Sequence, residues 1–250
     1  MTLPSTPHCA SIHGPRQAFG VRALPLRAWL GVGAALLACG GALAQSPPLE
    51  WQGRVGLGSA YTARGLVLGQ GALGFANLDA YTPAGWSLGG GALLLRDTAA
   101  QLAQGWTWRL GYAPPTGDAC RPFVHWRQDR FFHSDTLAGW GGTHGSLGWQ
   151  CDDRWSLTLN HDRLRAKALS ATSLDFSLQW PLAPGWHVNA GLGHAWLRDA
   201  PAYGYAQAGL AWQTGAWHWH LSRQGVLAAA RPGYGPSAAP RWVASAVFRF

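Results

Sequence analysis

Residues 241–250 alternate without a break: Trp242, Ala244, Ala246, Phe248 and Phe250 fall on one face, and Val243, Ser245, Val247 and Arg249 on the other. Side chains of an extended chain point alternately to opposite sides, so this is a strand with one wholly apolar face. Its length matches the about 9–11 residues that a tilted strand needs to cross a bilayer. The same alternation recurs upstream. Trp106, Trp108, Leu110 and Tyr112 oppose Thr107, Arg109 and Gly111; Leu174, Phe176, Leu178 and Trp180 oppose Ser173, Asp175, Ser177 and Gln179. A chain built from such segments has to pair them into a sheet with one apolar and one polar face.

The aromatics set a period. Tyr81 and Tyr112 stand 31 residues apart, Trp149, Trp180 and Trp212 follow at 31 and 32, and Trp155, Trp186 and Trp217 repeat every 31. Between the two series lie short runs rich in Pro, Gly and Asp, such as Pro83-Ala84-Gly85 and Thr214-Gly215, the residues of tight turns. Each repeat is therefore two strands. Twelve segments are predicted, near 51–62, 73–82, 86–95, 103–112, 122–130, 143–150, 154–162, 172–180, 186–196, 203–213, 216–224 and 241–250.

Alternation alone also fits a soluble sandwich with one buried face. Placement of the aromatics separates the two. A sandwich concentrates bulky rings in mid-strand, whereas Tyr81, Trp86, Tyr112, Trp149, Trp155, Trp180, Trp186, Trp212, Trp217, Phe248 and Phe250 sit beside turns or at the chain end, as a membrane girdle does. The expected fold is all-β: an antiparallel, up-and-down transmembrane β-barrel of about twelve strands. The Phe-terminated last strand resembles the C-terminal recognition strand of bacterial outer-membrane barrels. That resemblance implies the bacterial outer membrane, with its lipid and the barrel-assembly machinery as partners.

The N-terminus is consistent with export. Arg16, Arg22 and Arg27 precede an apolar run over 28–38, and Ala42-Leu43-Ala44 supplies a small-residue cleavage pattern. The run is too short for a membrane helix and suits a signal peptide, so 1–44 is read as leader and 45–250 as one barrel domain. Leu36-Leu37-Ala38-Cys39 offers a competing lipoprotein cut. No apolar run long enough for a helical span follows Gln45. The +8 chain has dispersed Arg rather than basic runs, which argues against a nucleic-acid partner.

Cys120 and Cys151 remain after the leader. A hairpin centred between Asp135 and Thr136 opposes Val124 to Leu147, Pro122 to Trp149 and Cys120 to Cys151. Opposed Cα atoms in such a ladder lie about 4.5–5.5 Å apart, within disulfide range. A structural disulfide at the periplasmic rim is expected.

The polar face carries Arg54, Asp79, Arg109, Arg127, Asp175 and Arg249. Two readings stand open: a selectivity lining whose Arg excess favours small polar or anionic solutes, or a salt-bridged interior that plugs the barrel. His187, His218 and His220 share the inward parity, but His187 lies two strands from the others, about 9–10 Å away, so polar lining is preferred to a metal site. No cofactor motif occurs and no catalytic triad emerges, although His161, Asp162 and several Ser near the outer ends keep a lipid hydrolase in view. The loops 130–142 and 224–240 are the longest and would carry any external partner.

Ser59-Ala60-Tyr61-Thr62-Ala63-Arg64-Gly65 resembles the opening signature of the Gcw-type family of proteobacterial outer-membrane proteins, with Ala60 in place of its Asp. The resemblance implies an outer-membrane barrel for small-solute uptake, with Arg64-Gly65 as a loop anchor: Gly for an awkward backbone, Arg for a fixed charge. A plain turn is the alternative there.

Overall fold

The computed structural model describes residues 49–250 except 98, 117, 153, 167, 168 and 228–237. The leader read over 1–44 and most of the 224–240 loop lie outside them. Twelve strands follow one another: β1 (Glu50–Ala63), β2 (Leu66–Tyr81), β3 (Trp86–Arg96), β4 (Leu102–Tyr112), β5 (Cys120–Phe132), β6 (Gly142–Cys151), β7 (Trp155–Leu164), β8 (Ala171–Ala183), β9 (Trp186–Leu197), β10 (Tyr203–Thr214), β11 (Trp217–Val226) and β12 (Arg241–Arg249). A short helix, α1 (Asp135–Ala138), interrupts the β5–β6 loop. Each strand pairs antiparallel with the next, and β12 returns to β1, so the sheet is a closed barrel.

Closure begins at the last residue. Arg54 pairs with Arg249 and Gly58 with Ser245, while Phe250 and Gly53 exchange both backbone hydrogen bonds (2.7 and 2.9 Å). A Cβ on Gly53 would collide with the Phe250 ring, so a residue without a side chain lets the terminal aromatic lie against β1.

The outer face is apolar and bare. Leu57 is 67% exposed, Leu192 61% and Trp242 62%, and the other strands add Leu and Trp of similar exposure. Water does not tolerate a continuous apolar belt on a monomer; a bilayer does, provided every backbone group is satisfied within the closed sheet. The protein is an outer-membrane β-barrel. The described chain begins and ends at the end of the barrel that carries most of the short turns, which in barrels of this kind faces the periplasm, with the longer loops at the other end. Tyr81 is a correction: it is two residues from Asp79 on β2, opposite Glu50, and it lines the interior cavity instead of joining the outer girdle. Pleating gives both residues the same face.

The β5–β6 register pairs Val124 with Leu147, Pro122 with Trp149 and Cys120 with Cys151, and the two cysteines form a disulfide. In the chain-entropy account a loop of this size adds about 3–4 kcal/mol.

The largest departure from expectation is β2, which starts at Leu66 and not near residue 73. Leu66, Val67 and Leu68 are all at most 5% exposed, so this stretch is buried on both faces and carries no alternation to read. Register shifts follow Gly58 and Tyr61, Gly71 has a positive φ, and such irregularities bend a hairpin. The β1–β2 hairpin folds into the outer mouth. There Leu66, Leu68, Leu95, Phe131, Tyr203 and Val226 pack as the apolar core.

The two faces should respond oppositely to charge. Leu192→Arg on the lipid face should destabilise the barrel by about 2–4 kcal/mol in phospholipid vesicles, whereas Gln207→Arg on the lumen face should change it little. Equal urea midpoints for the two variants would contradict the assignment of faces.

Candidate functional site

Below the hairpin a cavity of about 1250 Å³ runs down the lumen to the periplasmic turns, where Thr82, Pro83, Pro114 and Pro115 frame its opening. Arg54, Asp79, Arg109, Arg127, Asp175 and His220 line it. Arg109 on β4 reaches across β3 to β2: Nη2 and Nε donate to Asp79 Oδ1 (2.8 and 3.1 Å), and Nη1 donates to Asn77 Oδ1 (2.9 Å). The strand it crosses presents Gly89 and Gly91 at this point, where any Cβ would strike Asp79 or Asn77. Bare backbone is what lets the guanidinium lie flat on the wall. Arg54 shares the same carboxylate at 3.6 Å. Farther round, Asp175 accepts from Asn160 (2.6 Å), Ser173 (2.9 Å) and the Tyr205 hydroxyl, so its charge is held by neutral donors.

The roof is the hairpin tip. Arg64 and Gly65 both have positive φ (50° and 76°), the backbone of a two-residue turn whose twist matches its strands. A Cβ on Gly65 would sit 2.7 Å from Tyr205 Cβ and 2.9 Å from the Gly225 carbonyl carbon, so the tip abuts β10 and β11. Arg64 Nη2 stands 3.3 Å from Asp162 Oδ2 and 3.4 Å from the Leu169 carbonyl oxygen, and its guanidinium lies 5.8 Å from the Trp140 ring centre. Asp162 is on β7, six strands from β1 in either direction round the barrel. This ion pair therefore spans the lumen. It continues along the far wall: His144 meets Asp162 at 2.8 Å and Asp129 at 3.2 Å, and Arg127 meets Asp129 at 3.1 Å.

A second clamp holds the loops beside the roof. Asp97 Oδ1 accepts from the backbone of Ala99 and Gln101 (both 2.9 Å), and Oδ2 accepts from the Ser134 hydroxyl at 2.5 Å. Ser134 caps α1, accepting from Leu137 N, and Leu137 is fully buried. Burial works to raise the pKa of Asp97, but the hydrogen bonds from Ser134, Gln101 and Ala99 outweigh it and hold the carboxyl below its usual range.

The remaining sequence candidates scatter. Arg249 is opposite Arg54 at the periplasmic end; His218 pairs with Val247 and Gln213, and His187 with Ala211. Among the described residues no group of three or more His, Cys, Asp or Glu could hold a metal ion. His161 meets Thr172 at 3.1 Å, while Asp162, its neighbour in the strand, is taken up by Arg64 and His144, so the two do not share a site. Trp86, Tyr112, Trp149, Trp155, Trp180, Trp186, Trp212 and Trp217 lie near the periplasmic strand ends, with Phe248 and Phe250 beside them; Trp86 meets Tyr112, Trp186 stacks on Trp212, and Trp217 meets Phe248. Asp129 and His144 carry no motif in the sequence, and Asp162 stands there only as a catalytic candidate. Their common inward parity was legible; a partner six strands away was not.

No family model matches this chain, and no curated protein matches it. Among solved structures it is similar to the KdgM porin, with a TM-score of 0.53 at 9% identity over 80% of this chain and 98% of that one. The KdgM porin in complex with disordered oligogalacturonate gives a TM-score of 0.52 at 9% identity, with the same coverage. At such identity the likeness shows the fold, an outer-membrane barrel.

Arg64→Met and Asp162→Asn, alone and together, should reveal a coupling of about 1–3 kcal/mol in reversible urea unfolding; independent effects would mean that the pair does not hold the roof. Asp97 sets a pH response. Its depressed pKa means that its contribution is complete above the ordinary carboxylate range near 4 and fades as pH falls through the lower, folded value. Outer-loop proteolysis should thus accelerate at acid pH in the wild type, and Asp97→Asn should be fast already at pH 7. An Asp97→Asn barrel with wild-type resistance at both pH values would remove the clamp.

Proposed function

We propose that this barrel passes or binds small polar or anionic solutes, with the β1–β2 hairpin restricting its outer mouth. The observation that carries the reading is the polar, Arg-bearing cavity that extends from the periplasmic opening to the hairpin. Lumen charges of this kind set ion preference. The diametric Arg64–Asp162 pair favours a second reading, a closed structural barrel whose outer loops meet external partners. Export with removal of 1–44, insertion by the barrel-assembly machinery through the terminal strand, and membership of the Gcw-type family on Ser59, Tyr61, Arg64 and Gly65 belong to the same proposal. Here the Arg64-Gly65 anchor acts inward, toward the opposite wall.

Single-channel recording of the refolded protein in a planar bilayer under a salt gradient separates the readings. Small, anion-preferring openings are expected, with a several-fold higher open fraction for Arg64→Ser and a weaker anion preference for Arg109→Ser with Arg127→Ser. Silence from both the wild type and Arg64→Ser, each shown to be folded and inserted, would establish the closed structural barrel instead.

A further inference from the structure

The lumen has two chemically different walls. The inward-facing arginines of its strands lie on one arc: Arg241 and Arg249 on β12, Arg54 on β1, Arg109 on β4, and Arg121 and Arg127 on β5. Alternation gives β6 to β11 no inward Arg or Lys among the described residues, since Arg163 and Arg223 take the outward parity of Leu159 and Leu221. The strands of that opposite wall present amides and hydroxyls instead, among them Gln150, Thr158, Gln179, Asn189 and Gln207, and the cations that line the cavity there lie off the strands: Arg154 in the β6–β7 turn, and Arg64 at the roof, paired with Asp162.

On the cationic arc, like charges face each other across two ladders: Arg54 opposes Arg249, and Arg109 opposes Arg127. Directly opposed like charges are unfavourable in a sheet. Asp79 and Asp129 offset part of this repulsion, yet the Arg54 and Arg127 side chains keep 43% and 46% exposure. Guanidinium groups so placed match carboxylates well. The facing amides and hydroxyls both donate and accept, which suits an alcohol better than a bare anion.

We propose that the cavity binds polyhydroxylated carboxylates, the chemistry of sugar acids. The acid group lies against the arginine arc and the hydroxyl chain against the β6–β10 wall. This rests on reading the cavity as a solute site, and it names the class of solute.

Titration calorimetry on the folded barrel in detergent, at fixed ionic strength, tests it with three probes: gluconate, the neutral polyol sorbitol, and butyrate, which keeps the charge without hydroxyls. Gluconate should bind at least tenfold more tightly than either. Arg54→Gln with Arg249→Gln should bring gluconate down to the sorbitol level. Thr158→Val with Gln207→Leu should bring it to the butyrate level and leave butyrate unchanged. Heat-modifiable migration of each variant on gels checks folding. Gluconate no tighter than butyrate, or no binding of any probe, overturns the proposal. Either result beside anion-preferring conductance would leave the pore reading standing, whereas gluconate binding beside silent bilayers would retain the site and remove the pore.

Discussion

A backbone surrounded by lipid has no water to bond with, so every N–H and C=O in the span has to find a partner in the sheet itself. The β1–β12 seam is where that demand is met or fails. It brings together the two ends of the described chain, and the Gly53–Phe250 exchange completes it. Once the ring is closed, pleating sorts the side chains: apolar ones outward to lipid, polar ones inward. The lumen chemistry depends on this sorting. Arg54 and Arg249 share a wall because the seam register pairs them.

A twelve-strand ring leaves more interior than side chains fill, and this barrel treats its two ends differently. The periplasmic half keeps a polar cavity. The outer mouth is filled by the barrel's own first hairpin, whose buried Leu66, Val67 and Leu68 supply the apolar contact that the wet lumen lacks. Charges here sit where water is scarce, and removing one partner would strand the other. Arg64, Asp162, His144, Asp129 and Arg127 therefore form one connected chain, in which the two carboxylates meet Arg64, His144 and Arg127. Arg127 belongs to both regions, facing the cavity while pairing with Asp129 in that chain.

Much of this was legible in the sequence, and the reason differs from residue to residue. The terminal strand, the 31-residue rhythm and the Cys120–Cys151 register are consequences of period-2 alternation and turn chemistry, which are local and survive in one dimension. The aromatic series places Tyr81 in the girdle, whereas its parity with Asp79 puts it inside. Alternation was the stronger rule. The span 66–72 carries no strand signal in the sequence because burial of Leu66, Val67 and Leu68 erases alternation at its start. There, among the described residues, a strand leaves the membrane pattern and turns into the outer mouth.

The sequence by itself determined the closed, lipid-facing barrel, its polar interior and its disulfide, because each follows from spacing between neighbours along the chain or across one ladder. Only the tertiary structure decided that the first hairpin turns inward and that Arg64 meets Asp162. Those contacts join strands on opposite sides of a ring. Their distance depends on how far the hairpin bends into the ring, which no local repeat encodes, although the strand count itself was legible in the 31-residue rhythm.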